Sequence, residues 1–216
     1  MKTVIHPARA VALAFLLAIV AGMLLLMLPA ARSEGIGAPW NVALFTAVSA
    51  VCVTGMAIVD TGTYWSPFGQ VALLLLFQLG GIGLMTAATL LGLMVNRSPR
   101  LRSRMFTHAE SRTLGLGDVA KVGRVVVAVT VTCQLALALA LTLRLHFGHG
   151  QAWEDAAWSG IFHGVSAFTN AGFSIHADGL VRYAGDALVL VPVMFAIVIG
   201  GIGFPVLHDL RHRYRD

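Results

Sequence analysis

Charged residues divide this chain into long uncharged runs, and the runs set out its elements. Ala10–Ala31 lies between Arg9 and Arg32, Val125–Leu143 between Arg124 and Arg144, and Ala187–Leu207 between Asp186 and Asp209. Thr61–Asn96 is uncharged too, with turn-forming Gly62, Pro67 and Gly69 near its start. A helix crosses a bilayer with roughly 20 apolar residues, so the pattern predicts four spanning helices near 10–31, 68–95, 122–145 and 186–207. The first run also has the outline of a signal peptide, with Lys2 and Arg9 ahead of it and Pro29, Ala30 and Ala31 as a cleavage neighbourhood. The apolar region of a signal peptide covers about 7–15 residues; this run is longer, and a retained helix is expected. Two further apolar segments, 40–57 and 153–174, are too short or too broken by glycine to span. Each lies between one predicted span and the next.

The pattern repeats. Phe45–Met56 (FTAVSAVCVTGM) aligns with Phe162–Phe173 (FHGVSAFTNAGF), and the Gly80, Gly81, Gly83 cluster recurs as Gly200, Gly201, Gly203. Trp40 opens the first short segment and Trp153 the second. Each repeat therefore reads as helix, re-entrant half-helix, glycine-containing loop, helix. The expected organisation is a first repeat over 1–100, a basic linker over 101–121 and a second repeat over 122–216. Two crossings per repeat give both repeats the same orientation, related by an axis along the membrane normal.

Composition agrees with a membrane location. Hydrophobic residues make up 57% of the 216 residues and charged residues 12%, about half the charge of an ordinary soluble domain, and mean hydropathy is +0.81. This excludes a disordered chain. Two cysteines exclude a disulfide scaffold. The net charge is +5, but the basic residues cluster at the ends of apolar runs and do not mix with aromatics, so a nucleic-acid partner is not expected. Twelve of the 15 Lys and Arg fall at the termini and in the 96–124 loop. The positive-inside rule then places both termini and that loop in the cytoplasm, against anionic lipid, with a bacterial plasma membrane as the expected location.

The two loops that follow the half-helices carry no charged side chain. What they offer a solute is backbone carbonyl oxygen, which replaces the hydration shell of a monovalent cation. Gly55 and Gly172 supply the positive φ that aims carbonyls one way. The glycines Gly80, Gly81, Gly83, Gly200, Gly201 and Gly203 are expected to serve close helix packing. Asp60, Asp178 and Asp186 are expected near the outer mouth, mostly solvated, and Ser49 and Ser166 to bond back within the half-helices. Catalysis is not expected. His208 and His212 have zincin spacing but Asp209 where Glu is required. His163 with Ser159 or Ser166 lacks the nucleophile-elbow pattern. Asn96 begins a glycosylation triplet but falls on the cytoplasmic side. No transition-metal site and no bound organic cofactor are expected.

Ala47–Met56, Asp60–Gly69 (DTGTYWSPFG) and Gln78–Gly83 (QLGGIG) together resemble the first repeat of the Trk/Ktr/HKT potassium-transporter superfamily. Phe162–Phe173 and Gly200–Pro205 resemble its second pore loop and the helix after it. The resemblance implies an all-α, potassium-channel-like membrane fold built of M1–pore–M2 repeats. It implies K+, perhaps with Na+, as the transported ion, and a filter made from the backbone of Val53, Thr54, Gly55, Asn170, Ala171 and Gly172, with Cys52 and Thr169 at its inner mouth. It also implies a cytoplasmic nucleotide-binding regulatory ring as a partner. Members of that superfamily have four repeats and this sequence carries two. The expected complement is a second copy or the missing third and fourth repeats; the rival is a non-conducting structural or regulatory component of a larger assembly.

Overall fold

The computed structural model describes residues 7–95 and 116–202. Residues 96–115, which include most of the basic linker, Gly203 and the His208–His212 pair lie outside them. The described residues form an all-α membrane fold. Its helices are α1 (Pro7–Leu26), α2 (Trp40–Val51), the single turn α3 (Thr61–Tyr64), α4 (Pro67–Val95), α5 (Leu116–His149), α6 (Trp153–Phe168) and α7 (Ala187–Ile202). The order long helix, short helix, loop, long helix occurs twice. Stretches of α4 and α5, Pro67–Thr86 and Val126–His149, are long and apolar enough to cross a membrane. The described parts of α1 and α7 are apolar but shorter.

Two helix ends differ from the sequence expectation. The helix predicted over 10–31 stops at Leu26, and Pro29–Ala31 forms a 3-10 turn. Pro29 has no N–H with which to continue the ladder. The helix predicted over 122–145 runs from Leu116 to His149, because charge ends the membrane-embedded stretch without ending the helix.

The segments flanking the membrane are pinned to each other. Arg32 and Trp65 form an isolated antiparallel bridge, with Ser33 N donating to the Tyr64 carbonyl at 3.0 Å and Ser66 N to the Ala31 carbonyl at 3.0 Å. Asp60 caps α3, its Oδ1 accepting from Gly62 N at 2.8 Å and Thr63 N at 3.2 Å. On the second repeat, Asp186 Oδ2 accepts from Arg144 Nε and meets His149 Nε2, both at 2.8 Å. This joins the end of α5 to the start of α7, and the two donors hold the Asp186 carboxyl well below its ordinary 3.8.

The repeats join through α4. Phe77 is fully buried and packs edge-on against Phe162 of α6, at 5.5 Å between ring centres, and stacks on Phe173 at 5.9 Å. Gln78 of α4 and Gln134 of α5 exchange two amide hydrogen bonds of 3.0 and 2.8 Å. Trp158 Nε1 donates to Gln70 Oε1 at 2.7 Å. These close polar pairs satisfy groups that lipid could not.

Candidate pore-loop site

The half-helices position the site. α2 has 12 residues and α6 has 16, about 18 and 24 Å at 1.5 Å per residue, short of a bilayer core of about 30 Å. α6 starts with Glu154 and Asp155 in its first turn, where negative charge favours the helix dipole. Both helices end in the same hydrogen-bonded turn. In the first, N–H groups of Cys52, Val53 and Thr54 donate to the carbonyls of Val48, Ala50 and Ser49, at 2.9, 3.2 and 2.9 Å. In the second, Thr169, Asn170 and Ala171 donate to Val165, Ala167 and Ser166, at 3.0, 3.1 and 2.8 Å. This is a Schellman motif, which demands a left-handed residue just past the helix. Val53 has φ +55° and Asn170 φ +59° there.

Two residues later the backbone is left-handed again, at Gly55 (φ +72°) and Gly172 (φ +71°). The sequence pointed to one special residue per loop; there are two, and the first is not glycine. A left-handed asparagine follows a known preference, but a β-branched valine in that region is an outlier. No pattern of residue types would have indicated Val53.

This geometry decides what the loops can hold. The amides of residues 52–54 and 169–171 are directed back at their helix ends. Among the described residues, no backbone or side-chain donor bonds the carbonyls of residues 52–55 or 169–172. All four oxygens of each stretch are without a described donor, while three of its four amides are already bonded, a balance that suits a cation better than an anion. The loops also touch: a Cβ on Gly55 would lie 2.6 Å from the Ala171 oxygen, and one on Gly172 would lie 3.3 Å from Gly55 Cα. Over them is a cavity of about 440 Å³ whose lining includes Gly55, Asp60, Gly172, Ser174 and His176.

The glycines of α4 and α7 sit against these turns. A Cβ on Gly80 would overlap the Val51 carbonyl oxygen at the end of α2, and one on Gly200 would overlap the Phe168 carbonyl oxygen at the end of α6. Gly81 lies against the Thr169 side chain, where a Cβ would stand 2.8 Å from Thr169 Cβ. Gly83 faces the Phe15 ring, and a Cβ on Gly201 would meet, among the described residues beyond its own helix, the Asn170 amide at 3.7 Å.

Asn170 has a role that its type alone does not reveal. Its amide, oriented to satisfy both neighbours, donates to the Ile197 carbonyl at 3.3 Å and accepts from Gly201 N at 3.1 Å. Those two groups are i and i+4 on α7, mutual partners in a regular helix. The second loop is thus tied into the ladder of the helix behind it, whereas the first loop has only the Val53 side chain at this position. Asn170→Val copies the first loop and removes the tie. We expect a loss of about 1–2 kcal/mol, two ordinary hydrogen bonds' worth, read as a lower midpoint of thermal unfolding in detergent.

His163 and the acidic residues are also accounted for by contacts. His163 Nδ1 donates to the Ser159 carbonyl at 2.8 Å and Nε2 meets Ser174 Oγ at 2.9 Å. Ser166 Oγ donates to the Phe173 carbonyl at 2.7 Å. His163 is thus held to its own helix through Nδ1, while its Nε2 and the Ser166 hydroxyl brace the second loop. His176 stacks on His163 at 5.0 Å; burial and the nearby Arg182 hold it below its ordinary value. Of the three outer aspartates, Asp178 pairs with Arg182 at 2.6 Å, which keeps its carboxyl below the usual range, and Asp186 is paired as above. Asp60 alone of the three lines the cavity.

A family model described as TrkH, cation transport protein, matches residues 7–214. The chain is 38% identical to Ktr system potassium uptake protein B of Bacillus subtilis over 209 residues, covering 97% of this chain and 46% of that protein. It is 31% identical to the Vibrio alginolyticus protein of the same name, with 96% and 45% coverage. It is 30% identical to the potassium/sodium uptake protein NtpJ of Enterococcus hirae, with 98% and 46%. The chain spans about half the length of the curated relatives it matches. With the match running through both helix–loop–helix units, the chain belongs to the TrkH family of cation transport proteins.

Proposed function

We propose that this chain supplies two of the four loops of a pore that passes potassium, with sodium as a competing ion, across a bacterial plasma membrane. The ion is cargo, held by the carbonyls of Val53, Thr54 and Gly55 and of Asn170, Ala171 and Gly172, with Cys52 and Thr169 at the inner mouth. The observation that carries the reading is the row of carbonyl oxygens in both loops that no donor among the described residues bonds, beside amides of residues 52–54 and 169–171 that are turned back to cap the half-helices. No bond is made or broken, so the role is transport rather than catalysis. Growth on limiting K+ of a strain lacking potassium uptake, with this chain expressed, is the test. Rescue that Na+ competes away is expected; no rescue, and no flux from the purified chain in liposomes, would favour a non-conducting component.

The orientation belongs to the same reading: both termini and the 96–124 loop in the cytoplasm, facing anionic lipid and a nucleotide-binding regulatory ring. Single cysteines at positions 33, 103 and 177 check it. An impermeant thiol reagent applied from outside should label 33 and 177 and leave 103 unlabelled; position 103 lies outside the described residues. Labelling of 103 would reverse the orientation.

A further inference from the structure

The second pore loop rests on a set of side chains that the first loop lacks. His163 of α6 is buried and its Nδ1 donates to the Ser159 carbonyl, so Nδ1 carries the ring proton and Nε2 accepts from Ser174 Oγ at 2.9 Å. Ser174 Oγ in turn accepts from His176 N at 3.0 Å. Ser159 Oγ stands 3.2 Å from His163 Nδ1 and 3.1 Å from His176 Nε2. With the His163 proton already placed, the Ser159 hydroxyl proton is the one available to His176 Nε2. The two rings stack at 5.0 Å between centres. Every bond in this cluster is satisfied with both imidazoles neutral. By the spacing of the repeats, the counterparts of Ser159, His163, Ser174 and His176 are Val42, Thr46, Ala57 and Val59, none of which titrates. The buried Thr46 hydroxyl has no partner among the described residues.

His176 is the ring of this cluster that meets the outside. It is half-buried and lines the cavity over the loops together with Asp60 and Ser174. Asp178 and Arg182, on its own segment, pair with each other. His163 faces it from α6, and Tyr183 meets it edge-on at 5.9 Å. Asp60 acts on it from the first repeat. Asp60 is the one carboxylate lining the cavity, and it has no ion pair among the described residues. A carboxylate in such a mouth raises the local concentration of cations. We propose that His176 is a proton sensor for this pore: a proton taken from the outside offsets the Asp60 charge over the loops and displaces the Ser159 hydroxyl proton from Nε2, so that external acid slows K+ entry. Burial and the nearby Arg182 hold His176 below its ordinary 6.5. The ring is therefore neutral and entry unhindered at neutral pH, and inhibition sets in only as pH falls below that value. The inference rests on the pore reading above and names the regulation of its outer mouth.

K+ uptake into cells lacking other potassium uptake, measured as the medium is acidified with internal pH held constant, tests it. Uptake through the unmodified protein should fall roughly fivefold between neutral pH and about pH 4.5, the effect of one unit charge across several ångströms of a solvated site. His176→Gln keeps an acceptor for Ser159 but takes no proton, and its ratio of acid to neutral uptake should stay flat. His176→Lys carries a fixed charge and should show, already at neutral pH, the low uptake that the unmodified protein shows in acid. The same acid profile in His176→Gln as in the unmodified protein overturns the sensor and leaves the pore reading standing. So does loss of uptake at every pH in both variants, which is what a purely structural brace gives. Absence of K+ uptake by the unmodified protein at neutral pH counts instead against the pore reading, and the sensor falls with it. A second readout is free of transport. In the purified chain, the histidine NMR signal that His176→Gln removes should titrate below 6.5 and move the His163 signal with it. A His176 signal that does not titrate, or that leaves His163 unmoved, overturns the proposal.

Discussion

Gly55→Ser should abolish the preference for K+ over Na+, and Gly172→Ser should weaken it by a smaller factor. Both positions have left-handed backbone, where a Cβ costs roughly 1–2 kcal/mol before any contact is considered. The contacts separate them. The new Cβ at Gly55 would stand 2.6 Å from the Ala171 oxygen and 3.1 Å from Gly172 Cα, both backbone of the facing loop. That loop must move, and the displaced oxygen is one of those proposed to hold the ion. The Cβ at Gly172 would meet Gly55 Cα at 3.3 Å, which a shift of a few tenths of an ångström relieves. The flanking helices are untouched, so selectivity should fail while the protein still reaches the membrane. Gly185→Ala is the control, because nothing lies within 4 Å of a Cβ there and its φ is ordinary. Growth on limiting K+ against rising Na+ reads the series. Full K+ preference in Gly55→Ser would sink the carbonyl mechanism.

The sequence carried the architecture because the relevant signals are local and strong. Charge-bounded apolar runs mark the long helices, and a doubled FxxVSA…G motif marks the half-helices and their loops. Resemblance to the family was legible in the same residues, and the family match extends over 7–214. What was not legible depends on tertiary partners. Left-handed Val53 follows from the turn that ends α2, not from any preference of valine. The Asn170 tie to Ile197 and Gly201 needs α7 placed beside the loop. His163 has the look of a catalytic base on paper because spacing does not reveal that its two nitrogens are directed to the Ser159 carbonyl and to Ser174. The outer aspartates look alike in sequence, yet Arg144 and Arg182 neutralise two of them through contacts that are set by the folded loops.

The repeat also sets how the long helices support the loops, and the second large effect is expected there. Gly80→Ala and Gly200→Ala should each destabilise the protein by roughly 2 kcal/mol and disable transport, while Gly83→Ala should be close to neutral. In a helix, Gly→Ala normally gains about 1 kcal/mol, so the expected loss must come from packing. At Gly80 the methyl would overlap the Val51 oxygen, with Val51 C at 2.8 Å and Cα at 3.1 Å. At Gly200 it would overlap the Phe168 oxygen, with Phe168 C at 2.9 Å. Neither neighbour is a side chain that can turn away; each is the last residue of a half-helix, immediately before the loop. Relief requires moving the half-helix end or the long helix, and overpacking of this kind typically costs 1–3 kcal/mol or more. At Gly83 the nearest atoms belong to the rim of the Phe15 ring, at 3.3 and 3.5 Å, and a small ring rotation makes room. Thermal unfolding of the three variants in one detergent, with K+ uptake measured beside it, separates the cases. Equal midpoints for Gly80→Ala and Gly83→Ala would mean that the loop turns do not rest on these helices.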